Sequence, residues 1–380
     1  PAAAPVDILI VRDFAVLETL WRQLPGGGNS SVFQSLEVIR TWAEKLAASM
    51  GVQWLVAVML HPRTRQPLLL LPLVIRRIAG LTVIEGADLG VADFYGPVVA
   101  PGFLPSPGDM ILAWAILKAA LPAADVLRLS KMPARLGTAR NPLLMLPNVN
   151  RTKLSNFKAD LDSDWERWMS ANVPEKVRDD MKARTRKLSK RGRLAFKVAA
   201  TGAEADVFFE ALIAQRQVRF KELGRSDILD DPNYRAYYRG LLRPGDVDSP
   251  AEIEALMIDD EIIAVGYGLI GNATFHMIFP SFKGERWRNY SPGLQLFLAS
   301  MRRATERGLK HYDFTIGGEA FKRDLGAEEH PLYEKLAALS ARGLRVVYAD
   351  RLRRFVQRNP KFSHMAARIR GGGHGESMRP

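Results

Sequence analysis

The sequence predicts a mixed α/β (α+β) fold, a mixed sheet flanked by helices and built as two successive units. Three observations predict it. Short apolar strands alternate with amphipathic helices along the chain. Residues 252–258, 262–270 and 273–279 read as strands linked by Asp259-Asp260-Glu261 and Gly271-Asn272, tight turns that make an antiparallel meander. That meander runs into a loop, a helix and one more strand, and the first part of the chain has a meander and a helix of its own. At 380 residues each unit is long enough to bury its own core. The expected division is residues 1–155, residues 160–344 and a basic tail over 345–380.

Taken in order, residues 7–11 and a helix near 16–24 lead to the loop Pro25-Gly26-Gly27-Gly28-Asn29. Residues 33–42 read as a helix with Leu36 and Ile39 inward. Residues 53–60 and 67–76 are apolar strands joined as a hairpin, and 81–85 is a third strand. A Gly- and Pro-rich passage with Asp93-Phe94-Tyr95-Gly96-Pro97 follows, then a helix over 107–121 and a strand over 125–130. Residues 141–150 read as a connection. Ser163-Asp164-Trp165-Glu166 forms a capping box that starts a helix at Ser163. The next helix, 175–191, is the most basic in the chain, with Lys182, Arg184, Arg186 and Lys190 outside Val177, Met181 and Leu188. Its charges read as a solvated face, with an RNA or polyanion contact as the alternative. Helices over 203–223 and from Asp231-Pro232 onward precede the meander; Tyr234, Tyr237 and Tyr238 either line a groove or cover the sheet.

The stretch 287–329 organises the rest. Leu294, Phe297, Leu298, Met301 and Ala304 fall on one helix face, while Arg302, Arg303, Glu306 and Arg307 fall on the other. Ser291 suits an N-cap, Pro292 the first helical position, and Gly293 a close approach to the backbone. Free N–H groups and the macrodipole make this start a site for an anion such as phosphate, against the plain alternative of an ordinary capped helix. Asp313 ends the following strand, where it can serve catalysis or bond neighbouring backbone N–H groups and shape the Gly317-Gly318 turn. Glu319, Lys322 and Arg323 follow, as possible substrate contacts or solvated charges. His276, mid-strand, is either a satisfied interior histidine or a base that titrates near neutrality. Glu252 and Glu254, on one face of their strand, are further base candidates that read more simply as surface charges.

These residues resemble the phosphate-binding motif of the GNAT acyltransferases. The family pattern is Gln/Arg-x-x-Gly-x-Gly/Ala; Arg288-Asn289-Tyr290-Ser291-Pro292-Gly293 keeps the first and last positions and has Ser291 for the first glycine. With His311-Tyr312-Asp313-Phe314-Thr315-Ile316-Gly317 and Glu319-Ala320-Phe321-Lys322-Arg323-Asp324-Leu325-Gly326, the stretch resembles the CelD/BcsL-like branch, associated with cellulose and exopolysaccharide loci and related to the Fem aminoacyl transferases. The resemblance implies two tandem GNAT-like domains, the first diverged. It implies acetyl-CoA or another acyl-CoA as donor, with Arg288, Tyr290, Ser291, Gly293 and Leu294 binding the cofactor. Asp313, Glu319 and His276 are then the catalytic candidates, with Lys322 and Arg323 on the acceptor. The expected reaction is direct N- or O-acyl transfer to a sugar, nucleotide sugar or envelope precursor, with association with polysaccharide synthesis machinery as a further expectation. A Fem-like transferase using aminoacyl-tRNA and a non-catalytic accessory protein are the alternatives.

Composition narrows this reading. The absence of cysteine excludes disulfides, a thiolate nucleophile and Cys-ligated zinc, and the six histidines lack ligand spacing. A formal charge of +13 favours anionic partners without choosing among cofactor, RNA and membrane surface. The apolar run 67–75 is shorter than the roughly 20 residues that span a bilayer. Residues 1–5 lack a basic start and no apolar segment of signal type follows, so the default expectation is a cytoplasmic enzyme. The chain begins at Pro1, which leaves a removed leader open.

Overall fold

Each half of the chain builds the same unit, an antiparallel meander, a crossover helix and a strand parallel to the last strand of the meander. The structure, a computed structural model, describes residues 6–358. The expectations for residues 1–5 and for the part of the basic tail beyond residue 358 lie outside the described residues.

The first half runs β1 (Asp7–Val11), α1 (Phe14–Trp21), α2 (Leu36–Thr41), β2 (Gln53–Leu60), β3 (Pro67–Ile78), β4 (Leu81–Gly86), β5 (Val98–Val99), α3 (Pro107–Ala120) and β6 (Val126–Met132), then a small hairpin of β7 (Arg135–Leu136) and β8 (Ala139–Arg140). β6 returns parallel to β4 after α3. The second half runs β9 (Val149–Asp160), α4 (Trp165–Asn172), α5 (Glu175–Ser189), β10 (Leu194–Val198), α6 (Gly202–Glu222), α7 (Pro232–Leu241), β11 (Ala251–Ile258), β12 (Glu261–Gly271) and β13 (Thr274–Phe282). It continues through α8 (Pro292–Glu306), β14 (His311–Ile316), α9 (Ala320–Asp324), β15 (Glu328–Ala338) and α10 (Ala341–Arg358). β14 returns parallel to β13 after α8.

One sheet of thirteen strands joins the halves in the order β1-β2-β3-β4-β6-β15-β9-β14-β13-β12-β11-β10, with β5 on β3. The last strand among the described residues, β15, lies beside β6 of the first half and antiparallel to it. β9 lies between β15 and β14. The two strands at the centre of the sheet are therefore the ones the sequence hides. Residues 149–160 carry Asn150, Arg151, Lys153, Ser155 and Lys158 and show little apolar alternation. Residues 328–338 carry Glu328, Glu329, Glu334 and Lys335. Their partners lie far away in sequence, and pairing context overrides intrinsic preference. The expected boundary at 155–160 falls within β9.

The largest core cluster is shared. Phe33, Leu46 and Phe94 of the first half pack with Phe209, Tyr237, Tyr238, Tyr267 and Phe279 of the second. Tyr237 and Tyr238 are therefore core residues and line no groove. Other local expectations are corrected in the same way. The predicted helix 33–42 is broken at Ser35 into a 3₁₀ turn (Val32–Gln34) and α2, which passes into a π-turn over Trp42–Ala47. The capping box at Ser163 does not form: Asp164 caps α4 through the Arg167 amide at 3.0 Å, and Ser163 bonds to Asp162. The described part of the basic tail is helical, as α10.

Candidate active site

The crossover helices of the two units start alike, a repeat too short to stand out in the sequence. α3 begins Ser106-Pro107-Gly108-Asp109 and α8 begins Ser291-Pro292-Gly293-Leu294. At α3 the start is closed: the Ser106 hydroxyl accepts from the Asp109 amide at 3.1 Å, and the Asp109 carboxylate accepts from the Ser106 amide at 3.2 Å. At α8 it is open. Ser291 stands in the left-handed region at φ +50°, makes no cap bond, and no acidic residue occupies the first turn. The expected side-chain cap is thus absent, and the first-turn N–H groups keep their donor capacity. Gly293 has a packing duty as well, since a Cβ there would come within 3.0 Å of the Phe282 ring.

The loop before α8 is held from the basic helix. Arg184 donates to the Asn289 carbonyl (2.9 Å) and Arg191 to the Tyr290 hydroxyl (2.8 Å). Gln295 donates to the Tyr290 carbonyl (2.7 Å) and accepts from Thr185 (3.2 Å). Leu188 packs with Trp287 and Leu296 beneath. One face of α5 therefore supports the loop, while Lys182, Arg186 and Lys190 stay exposed. Arg288 is also exposed, 3.8 Å from Glu222.

β13 and β14 pair only over Thr274 with His311, Phe275 with Tyr312, and His276 with Asp313, and then part. Thr315, just past the split, has φ +59°, a strained conformation for a β-branched residue. The strain is fixed by Asp313, whose Oδ1 accepts from the Thr315 amide (2.7 Å) and whose Oδ2 accepts from Asn156 of β9 (3.1 Å). Asp313 is 3% exposed; burial pushes it up to about 7, with the Thr315 amide pulling the other way. His276 Nδ1 stands 3.7 Å from Asp313 Oδ2. It is buried without a hydrogen-bond partner, under Phe33 and Phe94 at ring distances of 6.2 and 6.0 Å. Burial lowers His276 to about 3, so it is neutral and a weak base, which agrees with the interior position of one sequence reading and not with the near-neutral titration of the other.

Lys322 is 4% exposed. Its ammonium donates to the carbonyls of Phe314 (3.0 Å) and Ile316 (3.2 Å) and pairs with Glu319 at 3.1 Å, which clamps the exit of β14. Arg323 pairs with Glu329 at 2.5 Å and lies over the Phe157 ring. Partial burial would raise Glu319, but its own backbone N–H and Lys322 hold it below the usual carboxylate range. Glu252 is paired with Arg303 and Arg307. Glu254 is no surface charge: burial pushes it up to about 8 beside Ser300. The structure brings together Arg288, Tyr290, Ser291, Gly293 and Leu294 at the helix start, and Asp313 with His276 at the split. Glu319, Lys322 and Arg323 are gathered on the exit turn. Asn156, Thr315, Phe33 and Phe94 join the site without being foreseen, because β9 and the first-half loops reach it only through tertiary packing.

Residues 175–323 match the family described as an acetyltransferase (GNAT) domain. Three solved structures share the fold. FemX aligns at 12% identity and TM-score 0.56, covering 86% of this chain and 96% of that one. The C-terminal domain of a putative lysylphosphatidylglycerol synthetase from Agrobacterium fabrum aligns at 13% and 0.52, covering 89% and 97%. A conserved protein of unknown function from Bacteroides thetaiotaomicron aligns at 10% and 0.51, covering 88% and 100%. No curated protein matches the chain in sequence.

Proposed function

We propose that the second half transfers an acyl group from an acyl-CoA to an amine or hydroxyl acceptor, with acetyl-CoA as the simplest donor. The observation that carries this reading is the uncapped start of α8, set beside the point where β13 and β14 part. An open helix start suits a pyrophosphate, and Arg288 stands free enough to add charge. Past His276 the edge of β13 that β14 has left offers backbone groups to a pantetheine arm and to a thioester carbonyl. Asp313, Asn156 and Lys322 fix the exit turn, so the reacting groups meet a rigid wall. An acceptor of the sugar, nucleotide-sugar or exopolysaccharide-precursor class, as in CelD/BcsL-like proteins, fits a site walled by both halves. An aminoacyl-tRNA donor is less well served, because α5 is only 15 residues long and one face of it is committed to the loop. Calorimetry with CoA and with pantetheine tests the donor. CoA should bind at least about tenfold tighter, since pantetheine lacks the pyrophosphate. Equal binding, or no heat with CoA, overturns the reading.

A further inference from the structure

Each carboxylate around the split is already engaged, with one exception. Asp313 spends both oxygens on Thr315 and Asn156. Asp88 accepts from the amides of Gly90 (3.1 Å) and Ala92 (2.8 Å) and pairs with Lys131 at 2.6 Å. Glu319 is paired with Lys322. Asp93, which the first half sends across in the loop between β4 and β5, is half-buried, and among the described residues it has no ion-pair partner. Its chain neighbour Phe94 lies against His276 at a ring distance of 6.0 Å, and its carboxylate interacts with Thr315, whose hydroxyl donates to the Met277 carbonyl of β13 at 3.4 Å. Asp93 therefore stands at the mouth of the split with acceptor capacity to spare.

Resting on the acyl-CoA reading above, we infer that Asp93 is the proton acceptor of the transfer, so the reaction centre is completed by the first half. Burial raises Asp93, against Lys131 and the Thr315 hydroxyl, with Asp88 adding to the rise and Lys322 opposing it. Asp313 and Tyr238 also feel its charge. A raised carboxylate is a better base near neutrality than Glu319 or His276. The step balances: the acceptor nitrogen or oxygen attacks the thioester carbon, the new C–N or C–O bond forms, and the C–S bond breaks. The acceptor's proton passes to Asp93 and from there to the departing CoA thiolate, which leaves as the thiol and returns Asp93 to its carboxylate form. Next to it, the unpartnered Nδ1 of His276 and the Phe33 and Phe94 rings line the wall facing Asp313.

The test compares the parent with Asp93→Asn in thiol release from acetyl-CoA, using glucosamine, galactosamine and ethanolamine as acceptors, and in CoA calorimetry. The variant should lose about 100-fold or more in kcat, with CoA affinity within about twofold and an unchanged melting temperature. An Asp93→Asn protein within threefold of the parent in kcat overturns the assignment. An isotope-edited carboxyl titration reads the same residue without an acceptor: a midpoint above that of an exposed aspartate, rising further in Thr315→Val, supports the inference. A midpoint in the ordinary aspartate range overturns it. A parent that gives no heat with CoA overturns the donor reading instead, and the carboxyl titration still judges Asp93.

Discussion

Leu294→Asp would give α8 the acidic third residue that closes α3, where Asp109 accepts from the Ser106 amide. A carboxylate in the first turn would occupy the donors a pyrophosphate needs and repel it. Two unit charges at about 4 Å cost about 1 kcal/mol in water and about 4 kcal/mol at an effective dielectric of about 20. A mid-range value of about 2 kcal/mol corresponds to roughly 30-fold weaker CoA binding. Stability should hardly change, because Leu294 is only half-buried. Its loss costs about 1 kcal/mol, and an acid at the positive helix end returns about 0.3–1 kcal/mol. Calorimetry with CoA and a thermal melt on the same sample separate the two effects, with Leu294→Asn as the uncharged control. The reasoning is refuted if Leu294→Asp binds CoA within twofold of the parent, or if Leu294→Asn loses as much affinity as Leu294→Asp.

Removing the Lys322 ammonium in Lys322→Ala leaves the buried Phe314 carbonyl and the part-buried Ile316 carbonyl without their donor, so urea unfolding should show a loss of about 1–3 kcal/mol; a change under about 0.5 kcal/mol would mean that the clamp is idle. Burial pushes Glu254 up to about 8 in the folded protein, well above the usual carboxylate range of about 4.5. The folded state holds its proton where the unfolded state has lost it, so the parent should lose stability relative to Glu254→Gln as pH rises from about 4.5 to about 8, and level off above. Urea midpoints of the two proteins that stay parallel across that window would contradict the raised value. Reversing Lys182, Arg186 and Lys190 to Glu should leave CoA affinity within a few-fold at 0.15 M salt, the remaining difference fading as salt screens it. Arg184→Ala should weaken binding several-fold at any salt by freeing the Asn289 carbonyl. The reverse ranking in calorimetry would make α5 a binding surface rather than a support.

Much of the second unit was legible because its signals are local. The meander 252–279, its two tight turns, the amphipathic helix after Ser291 and the strand ending near Asp313 depend on period and turn chemistry within a few residues, and each appears close to its predicted place. The start of that helix at Ser291-Pro292-Gly293 was readable for the same reason, though the left-handed Ser291 that leaves it without the expected side-chain cap was not. Tertiary structure decided the rest. β9 and β15 are strands because they fill the middle of a sheet shared by both halves, and their polar sequences do not announce it. His276 could be read as an interior histidine or as a neutral-pH base, and the burial beneath Phe33 and Phe94 that lowers its pKa exists only in the folded protein. Lys322 looked like a substrate contact, and three carbonyls converge on its ammonium instead. Asp93 lies more than two hundred residues from Asp313 in sequence, and only the packing of one half on the other places it beside Thr315. The sequence by itself set the local units and the Ser-Pro-Gly helix start, because those follow from backbone geometry. How deeply each carboxylate is buried and which hydrogen bonds it makes were decided by tertiary packing, because both exist only once the two halves are joined.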